Sequence, residues 1–363
     1  MTDATCLTPE IAFRPIYDVE KSYLENLNQG PLFDEPYPER IFPDKREWID
    51  CLGFQAASPI GVPAGPLLNS RWISAASKLG FDILTYKTIR SKKWLGHPVP
   101  NVLFVTIEQE EYATSLSHTP DDVSTIAITN SFGNPSMNPE YLQYDIEASR
   151  NLLNEGQVLI VSVFGSADEP TLLREDFVRA ACLAKDAGAH IIEANFSCPN
   201  VSSSQGSSLY ADKEMATSIA SAIVRAIHPT PLVIKVGYIE NPKELKELLL
   251  SLARVGVRGV CGINTLPMEV KSPEGIYPLG PHRKTSGICG HPIRPYACDF
   301  ISKASQIIDA ENLDLTLLGC GGVTLAEHFD QFLEKGAQIA MSASGMMWDP
   351  YLALRWHERR NHE

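Results

Sequence analysis

From about residue 52 the chain alternates between short apolar segments and longer segments whose apolar residues recur at helical spacing. The apolar segments are rich in Val, Ile and Ala and lie at residues 59–62, 82–87, 158–164, 190–196, 232–236, 259–265, 315–319 and 338–342. Helical spacing is clear at residues 175–187, 213–227, 242–255 and 325–335. Buried strands separated by helices are typical of a parallel sheet that is covered on both faces. Eight such units predict an α/β fold of the (β/α)8 TIM-barrel type, with an open sheet as the alternative.

Residues 1–50 differ from this pattern. Four prolines between residues 31 and 43 indicate extended, irregular chain, and residues 19–27 predict one short helix. A helix that lies on a membrane is the alternative, but its apolar face is narrow and its basic residues are few. We therefore expect an N-terminal arm over residues 1–50 and a barrel over residues 51–363.

The segment at residues 88–157 interrupts the alternation after the second predicted strand. Within it, residues 102–107 and 124–129 alternate between apolar and polar positions, which predicts a hairpin. An excursion at the carboxyl end of a barrel strand lies on the catalytic face. We expect this excursion to form a lid or a wall of the pocket.

Composition narrows the range of partners. The chain has 31 Lys and Arg residues against 44 Asp and Glu residues, a formal net charge of −13. This balance disfavours nucleic acid as a partner, because phosphate contacts need clustered basic residues. The sequence contains neither a membrane-spanning apolar run nor the pattern of a secretory signal. Its eight cysteines form no C-x-x-C pair, so we expect reduced thiols in a cytoplasmic protein without a zinc ribbon.

The predicted strands end in residues that carry chemistry, and the active site of a barrel lies at the carboxyl ends of its strands. These residues are Ala64, Gly65, Lys87, Thr88, Ser162, Asn195, Cys198, Asn200, Lys235, Asn264, Thr265, Gly321, Gly322, Ser342, Ala343 and Ser344. The set has no carboxylate pair and no histidine cluster, which disfavours glycosidase chemistry and a metal centre. Glycine-containing turns end the last two predicted strands, at residues 319–323 and 342–345, and together they predict a phosphorylated ligand.

Cys198 is the residue with the most distinctive surroundings. It follows a predicted strand and precedes a proline, with Asn195 and Asn200 on either side. A cysteine acts as a base or nucleophile when its thiolate is accessible, and nearby cations favour ionisation. A buried structural thiol is the alternative for Cys198 by itself, and it is what we expect for most of the other cysteines.

Residues 193–200 resemble the active-site signature of the dihydroorotate dehydrogenase family, specifically its soluble, cysteine-using class 1. The resemblance extends over about residues 52 to 350. Further segments match in the expected order, at residues 63–65, 85–88, 130–133, 233–235, 263–265, 286–290, 319–322 and 343–344. Each segment is a weak signal, but the ordered combination is specific.

The resemblance implies a barrel that binds FMN and oxidises dihydroorotate to orotate. Cys198 would remove the proton from C5 of the substrate while a hydride leaves C6 for N5 of the flavin. Lys87 would attract the substrate carboxylate and support the cofactor. Lys235 would stabilise negative charge at the N1 edge of the reduced flavin. A homodimer is typical of the family.

The resemblance also assigns the other site residues. Residues implied to contact the substrate are Lys87, Asn130, Phe132, Gly133, Asn195, Asn200, Asn264 and Thr265. Residues implied to contact FMN are Ala64, Gly65, Lys87, Thr88, Ser162, Asn195, Lys235, Ile263, Ser286, Gly287, Gly321, Gly322, Ala343 and Ser344. Of these, residues 286–290, 319–322 and 343–344 are expected to be loops around the FMN phosphate. The amides suit a ring with N–H and C=O groups, because each amide offers both a donor and an acceptor.

Some positions depart from the family pattern and leave alternatives open. Phe132 and Asn134 replace the usual Met and Leu, and Asn101 stands where an arginine is common. A related heterocycle therefore stays open as the substrate, although a dihydropyrimidine-dehydrogenase-like enzyme would place a histidine at Asn200. A tRNA-dihydrouridine synthase would need a basic surface, and a non-catalytic flavin-binding barrel is a further alternative. Fumarate, a quinone or an NAD-linked partner subunit are all open as the electron acceptor.

Overall fold

A computed structural model describes residues 15–108, 111–197 and 208–361. The strands in these ranges are β1 (Ile49–Cys51), β2 (Phe54–Ala56), β3 (Ile60–Leu67), β4 (Ile83–Ile89), β5 (Val102–Thr106), β6 (Tyr112–Ser115), β7 (Ala127–Asn130), β8 (Val158–Val163), β9 (Ile191–Asn195), β10 (Leu232–Lys235), β11 (Gly259–Gly262), β12 (Leu266–Lys271), β13 (Thr285–Gly290), β14 (Thr316–Cys320) and β15 (Ile339–Met341). The α-helices are α1 (Tyr23–Gln29), α2 (Ser70–Lys78), α3 (Pro139–Asn151), α4 (Pro170–Asp186), α5 (Lys213–Ile227), α6 (Pro242–Arg254), α7 (Arg294–Ala310), α8 (Glu327–Glu334), α9 (Ser344–Trp348) and α10 (Leu352–Asn361). None of the described helices is both long enough and apolar enough to cross a membrane.

Eight parallel strands close into a barrel in the order β3, β4, β8, β9, β10, β11, β14 and β15. The last strand returns to the first, since Ala340 of β15 pairs with Ile60 of β3. All eight coincide with the apolar segments in the sequence, so the predicted TIM barrel is confirmed. The strand sequences are nearly continuous in apolar residues because one face fills the barrel and the other is covered by helices.

The interior of the barrel is packed with side chains at its amino end. Val158, Val233, Leu318 and Ile339 from four different strands are buried there. The antiparallel hairpin of β1 and β2 packs onto this cluster through buried Cys51. Burial of these apolar groups stabilises the closed sheet by about 25 cal/mol per Å² removed from water. These side chains form an apolar plug that closes the amino end of the barrel. A ligand can therefore bind only at the carboxyl end.

Helix α3 lies in the segment where the sequence showed no clear strand–helix unit. Its buried positions are Leu142, Asp145, Ile146 and Ser149, so two of the four are polar. The Asp145 carboxylate accepts hydrogen bonds from the Tyr86 hydroxyl at 2.6 Å and from the Ser70 hydroxyl at 2.7 Å. A helix with a polar buried face lacks the apolar periodicity on which the prediction depends. That part of the prediction was wrong for this physical reason.

The excursion after β4 joins a second, smaller closed barrel made of β12, β13, β7, β5 and β6. The two predicted segments do pair antiparallel, with Phe104 opposite Ile128. The simple hairpin was wrong, because β6 lies between them in sequence and β12 and β13 come from the segment after β11. Glu269 of β12 pairs with Tyr112 of β6, and this parallel pairing closes the ring. The small barrel joins the excursions that follow two different strands of the large barrel.

The segment before β1 lies along the large barrel. Helix α1 begins at a capping box in which Ser22 and Glu25 satisfy each other's backbone N–H groups. The Arg71 guanidinium of α2 donates to the Leu27 carbonyl at 2.6 Å. The Ile16 N–H donates to the Met347 carbonyl at 2.8 Å. These bonds hold α1 beside the carboxyl end of β4.

Candidate active site

Two buried lysines mark the carboxyl end of the barrel. Lys87 near the end of β4 is 7% exposed, and Lys235 at the end of β10 is 3% exposed. The Lys87 ammonium lies 5.6 Å from the centre of the Tyr23 ring and 5.7 Å from that of Phe132. Both rings offer the ammonium a cation–π contact. Lys87 therefore stands between α1 and the excursion, while Lys235 lies within the barrel.

Lys235 is surrounded by groups that can carry negative charge. Burial by itself lowers the pKa of Lys235, but the Cys261 and Cys320 thiols and the Glu193 carboxylate raise that pKa above its ordinary value. The Cys261 and Cys320 sulfurs are 3.7 Å apart. The Cys320 thiol donates to the Ile263 carbonyl at 3.1 Å. Lys235 is therefore held as a cation at the carboxyl end of β10.

A hydrogen-bonded chain joins Asn195 and Ser197, at the end of β9, to Asn264, which follows β11. The Ser197 hydroxyl donates to the Asn195 side-chain oxygen at 2.6 Å, and the Asn264 amide donates to the Ser197 hydroxyl. The Asn264 side-chain oxygen accepts from the Thr265 N–H at 2.9 Å. The side chains of Asn195 and Asn264 are thus fixed in orientation before any ligand binds.

Ser197 has a role that the sequence did not reveal. It lies within residues 193–200, which resemble the family signature, but a serine in a turn carries no signal of its own. Cys198 and Asn200 lie outside the described residues, so their positions stay predictions. Ser197 and Ser208 flank that segment, and the Ser208 hydroxyl donates to the Ser197 carbonyl at 3.1 Å. Ser197 and Ser208 are therefore both at the carboxyl end of β9.

The small barrel contributes Asn130, at the end of β7. Its carbonyl accepts from the Ser286 hydroxyl at 2.6 Å, and its amide donates to the Cys289 sulfur at 3.5 Å. Burial raises the pKa of the Cys289 thiol, and hydrogen bonds with Ser344 and Asn130 act in the opposite direction. Cys289 therefore connects the loop at residues 130–134 (the Asn130 loop) with the turn at Ser344, a link that the sequence did not show.

Residues 286–290 form strand β13 rather than the expected loop. Gly287 pairs with Asn130 in an antiparallel ladder. A side chain at Gly287 would overlap that of Thr265, so this glycine is required by the close approach of the two segments. The expectation of a loop was wrong, because the small barrel that recruits this segment is closed by non-local pairing.

The departures at the Asn130 loop have structural explanations. The Asn101 amide donates to the carbonyls of His97 at 3.2 Å, Pro98 at 3.0 Å and Ser131 at 3.1 Å. Arg283 comes from the segment before β13 and donates to the Ser131 carbonyl at 3.3 Å. The Arg283 guanidinium and the Asn101 amide thus bind the same carbonyl, that of Ser131. Asn101 is the position at which an arginine is common in the family.

Phe132 and Asn134 suit the local geometry equally well. Asn134 has φ +50°, a left-handed conformation that asparagine tolerates better than leucine. The Phe132 ring packs edge-on against Tyr17, with 6.3 Å between ring centres. The Gly133 carbonyl accepts from the Arg90 guanidinium at 2.9 Å. These contacts give the loop a fixed shape beside Lys87.

The ends of β3, β4 and β8 contribute a glycine and two hydroxyl groups to the candidate site. Gly65 in β3 has φ +147°, and a Cβ atom there would have no atom within 4 Å. The sheet register shifts between Val62 and Leu67, so this part of β3 bends away from β4. The Thr88 hydroxyl donates to the Ser162 hydroxyl at 3.0 Å. Gly65 is exposed, and the neighbouring Ala64 is half-buried.

The two final turns are tied to each other. Gly321 and Gly322 have φ values of +120° and +82°, which favour glycine. A Cβ atom on Gly322 would lie 2.6 Å from the backbone nitrogen of Arg294. The Ser342 hydroxyl donates to the Val323 carbonyl at 2.7 Å. Ala343 and Ser344 follow at the start of α9, so the two turns form a single edge of the site.

A closed (β/α)8 barrel with two buried lysines and oriented amides at its carboxyl end is typical of enzymes that act on small polar molecules. The family model for dihydroorotate dehydrogenase matches residues 48–355. A dihydroorotate dehydrogenase of Dictyostelium discoideum is 46% identical over 95% of this chain and 97% of its own length. This chain therefore belongs to the dihydroorotate dehydrogenase family and is an oxidoreductase acting on a CH–CH group. The non-catalytic alternative is thereby set aside.

More distant relatives differ in the acceptors given by their names. A dihydroorotate dehydrogenase (quinone) of Psychrobacter arcticus is 24% identical over 92% of this chain and 88% of its own length. The catalytic subunit of a dihydroorotate dehydrogenase B (NAD(+)) of Bacillus thuringiensis is 26% identical over 49% of this chain and 55% of its own length. The family generally depends on a flavin.

Proposed function

We propose that this protein oxidises dihydroorotate to orotate, with FMN as its flavin and Cys198 as the general base. One observation carries the proposal. Lys87 lies near the end of β4, Asn195 and Lys235 end β9 and β10 of the same barrel, and Phe132 of the Asn130 loop lies beside Lys87. This arrangement combines a cation for a carboxylate, amides for a ring with donors and acceptors, and a second cation deeper in the barrel.

The residues at the carboxyl end fit FMN. The open space at Gly65 and the cation at Lys235 suit a flat, electron-rich ring system. The turns with Gly322 and Ser344 suit the phosphate, because backbone N–H groups in such turns bind anions. The other residues that we propose to contact FMN are Ala64, Lys87, Thr88, Ser162, Asn195, Ile263, Ser286, Gly287, Gly321 and Ala343. When bound, FMN supplies an acceptor for a hydride.

The chain's own residues account for the remaining chemistry. Lys87 binds the substrate carboxylate through a charge-assisted hydrogen bond. The amides of Asn130, Asn195, Asn200 and Asn264 hold the ring, with Phe132, Gly133 and Thr265 around it. Cys198 accepts the proton from C5 as a thiolate. Lys235 provides a fixed positive charge where negative charge develops.

We also propose a cytoplasmic homodimer as the working form. The six cysteines that the structure describes are all free thiols, as a reducing compartment favours. The dimer rests on what is typical of the family. Sedimentation of the FMN-loaded protein would measure its mass directly, and a monomer at micromolar concentration would contradict the dimer.

The proposed reaction has a direct optical test. We expect dihydroorotate, added without oxygen to the FMN-loaded protein, to bleach the flavin absorbance. One molecule of orotate should be released for each flavin that is reduced. Dihydrouracil is the control, since it lacks the carboxylate that Lys87 binds. Bleaching by dihydrouracil but not by dihydroorotate would favour the dihydropyrimidine-dehydrogenase-like alternative.

Gly65 gives a test of the cofactor position. We expect Gly65→Ala to weaken FMN binding by about tenfold or more, because the added methyl group enters the space proposed for the flavin and strains the backbone. Gly53 is a matched control, with φ +92° and equally open surroundings in the turn between β1 and β2. Fluorescence titration of the apoprotein with FMN measures both affinities. Equal affinities for the two variants would place the flavin elsewhere.

A further inference from the structure

Glu193 is a buried carboxylate in the middle of the barrel. It lies on β9, two residues before Asn195, and is 1% exposed. Neither of its carboxylate oxygens has a hydrogen-bond partner among the residues that the structure describes. Buried polar groups are nearly always paired, and an isolated buried charge is costly. An unpaired carboxylate at this position therefore calls for a compensating charge.

The sheet register shows where that charge lies. Glu193 pairs with Val233 on β10, and Asn195 pairs with Lys235. Lys235 is therefore the diagonal neighbour of Glu193, on the same face of the sheet because side chains alternate along a strand. Val233 packs in the barrel interior, so that shared face points inward. In the strand register Glu193 is therefore one layer below Lys235, on the side of the apolar plug.

The barrel interior holds other groups that act on the same lysine. Cys261 and Cys320 come from β11 and β14, and both are buried. Burial disfavours the charged form of Lys235, whereas Glu193 and the two thiols favour it. Glu193 is the only one of the three neighbours that is a carboxylic acid. Its charge acts on Lys235 within the buried interior, where electrostatic interactions are screened little.

We propose that Glu193 is a positioning residue that acts through Lys235: its negative charge offsets part of the positive charge of that lysine and lowers the reduction potential of the flavin bound above it. The proposal rests on the proposed function in one respect, the placement of a flavin next to Lys235. The lysine stabilises the negative charge that a reduced flavin carries. A carboxylate behind the lysine offsets part of that stabilisation, so the balance between them tunes how readily the flavin accepts electrons.

The first experiment measures the midpoint potential of the bound flavin in the absence of substrate. We expect Glu193→Gln to raise the potential, since it removes the negative charge and keeps the size and the cation. If the substitution changes the ratio of the affinities for reduced and oxidised flavin by about tenfold, the midpoint potential changes by about 30 mV for a two-electron couple. Glu193→Asp retains the charge and should restore a potential close to that of the wild type. An unchanged potential in Glu193→Gln would overturn the proposal.

The second experiment needs no flavin and no substrate. Glu193→Gln, Lys235→Met and the double variant form a cycle in which the equilibrium constant for unfolding of the apoprotein is measured. We expect the two substitutions to be coupled by about tenfold or more, because each single change leaves the other charge buried and uncompensated. Additive effects would refute the pairing whether or not dihydroorotate is the substrate. Conversely, failure of dihydroorotate to bleach the flavin would leave both expected results in place.

Discussion

Cys198→Ala should bind FMN normally and yet be reduced by dihydroorotate at least about 10²-fold more slowly than the wild type. A positioned general base contributes roughly 10² to 10⁴ to a rate, and alanine removes the thiolate without adding bulk. The flavin should therefore keep its absorbance spectrum while the rate of bleaching falls. Stopped-flow absorbance under anaerobic conditions measures this rate directly. The loss should lie in the rate at saturating substrate, because a base acts in the transition state.

Cys182→Ala is the matched control for this variant. Cys182 is a half-buried free thiol on α4, within the helical layer of the barrel. Its substitution tests whether the loss of any thiol slows the reaction through stability alone. We expect its reduction rate to stay close to that of the wild type. Near-normal bleaching in Cys198→Ala would mean that another group removes the proton.

Lys87→Met should weaken the binding of dihydroorotate and orotate by roughly 10²-fold. The ammonium lies near the Tyr23 and Phe132 rings and Lys87 is buried, so the proposed hydrogen bond to the substrate carboxylate would form away from bulk water. A hydrogen bond to a charged group contributes about 1.5 to 3 kcal/mol, and each 1.4 kcal/mol changes a dissociation constant tenfold. Methionine keeps most of the length and apolar contacts of the lysine. Titration with orotate, followed through the flavin spectrum, measures the dissociation constant.

Lys93→Met is the control for Lys87→Met, because Lys93 is an exposed lysine in the same excursion. It tests whether the net charge of the region steers the anionic substrate. We expect an effect of less than about twofold at physiological salt, where exposed charges are screened. Unchanged orotate affinity in Lys87→Met would remove this lysine from the substrate site and assign the carboxylate to another cation.

The sequence predicted a strand or helix correctly where the residues of that element show its burial pattern themselves. Residues 232–236 are apolar except for Lys235 because both faces of β10 are buried, so the strand was visible without any knowledge of its neighbours. Helix α5 was visible for a related reason, since its buried residues recur at helical spacing. Helix α3 was not visible, because hydrogen bonds to Asp145 replace apolar contacts on its buried face.

The candidate site residues also fall into those that the local sequence identifies and those whose role depends on distant segments. Lys87, Asn195 and Lys235 were found because the carboxyl end of an apolar strand is a position that sequence can identify. Ser197 and Cys289 were missed as connecting residues, since their importance lies in hydrogen bonds to partners from other segments. Glu193 was within the quoted signature, but its burial without a partner was not predictable. That property depends on which side chains face it from the neighbouring strands.

The sequence by itself determined the large barrel and the strand ends that line its pocket, because periodicity and strand termini are properties of neighbouring residues. Only the tertiary structure decided that a second, five-stranded barrel stands beside that pocket. Its strands come from two distant parts of the chain, and the bond between Ser286 and Asn130 joins residues 156 positions apart. Pairing over such a distance is selected by closure of the whole sheet, and no local pattern encodes it. The same is true of Glu193 and Lys235, which become neighbours only once β9 and β10 are in register.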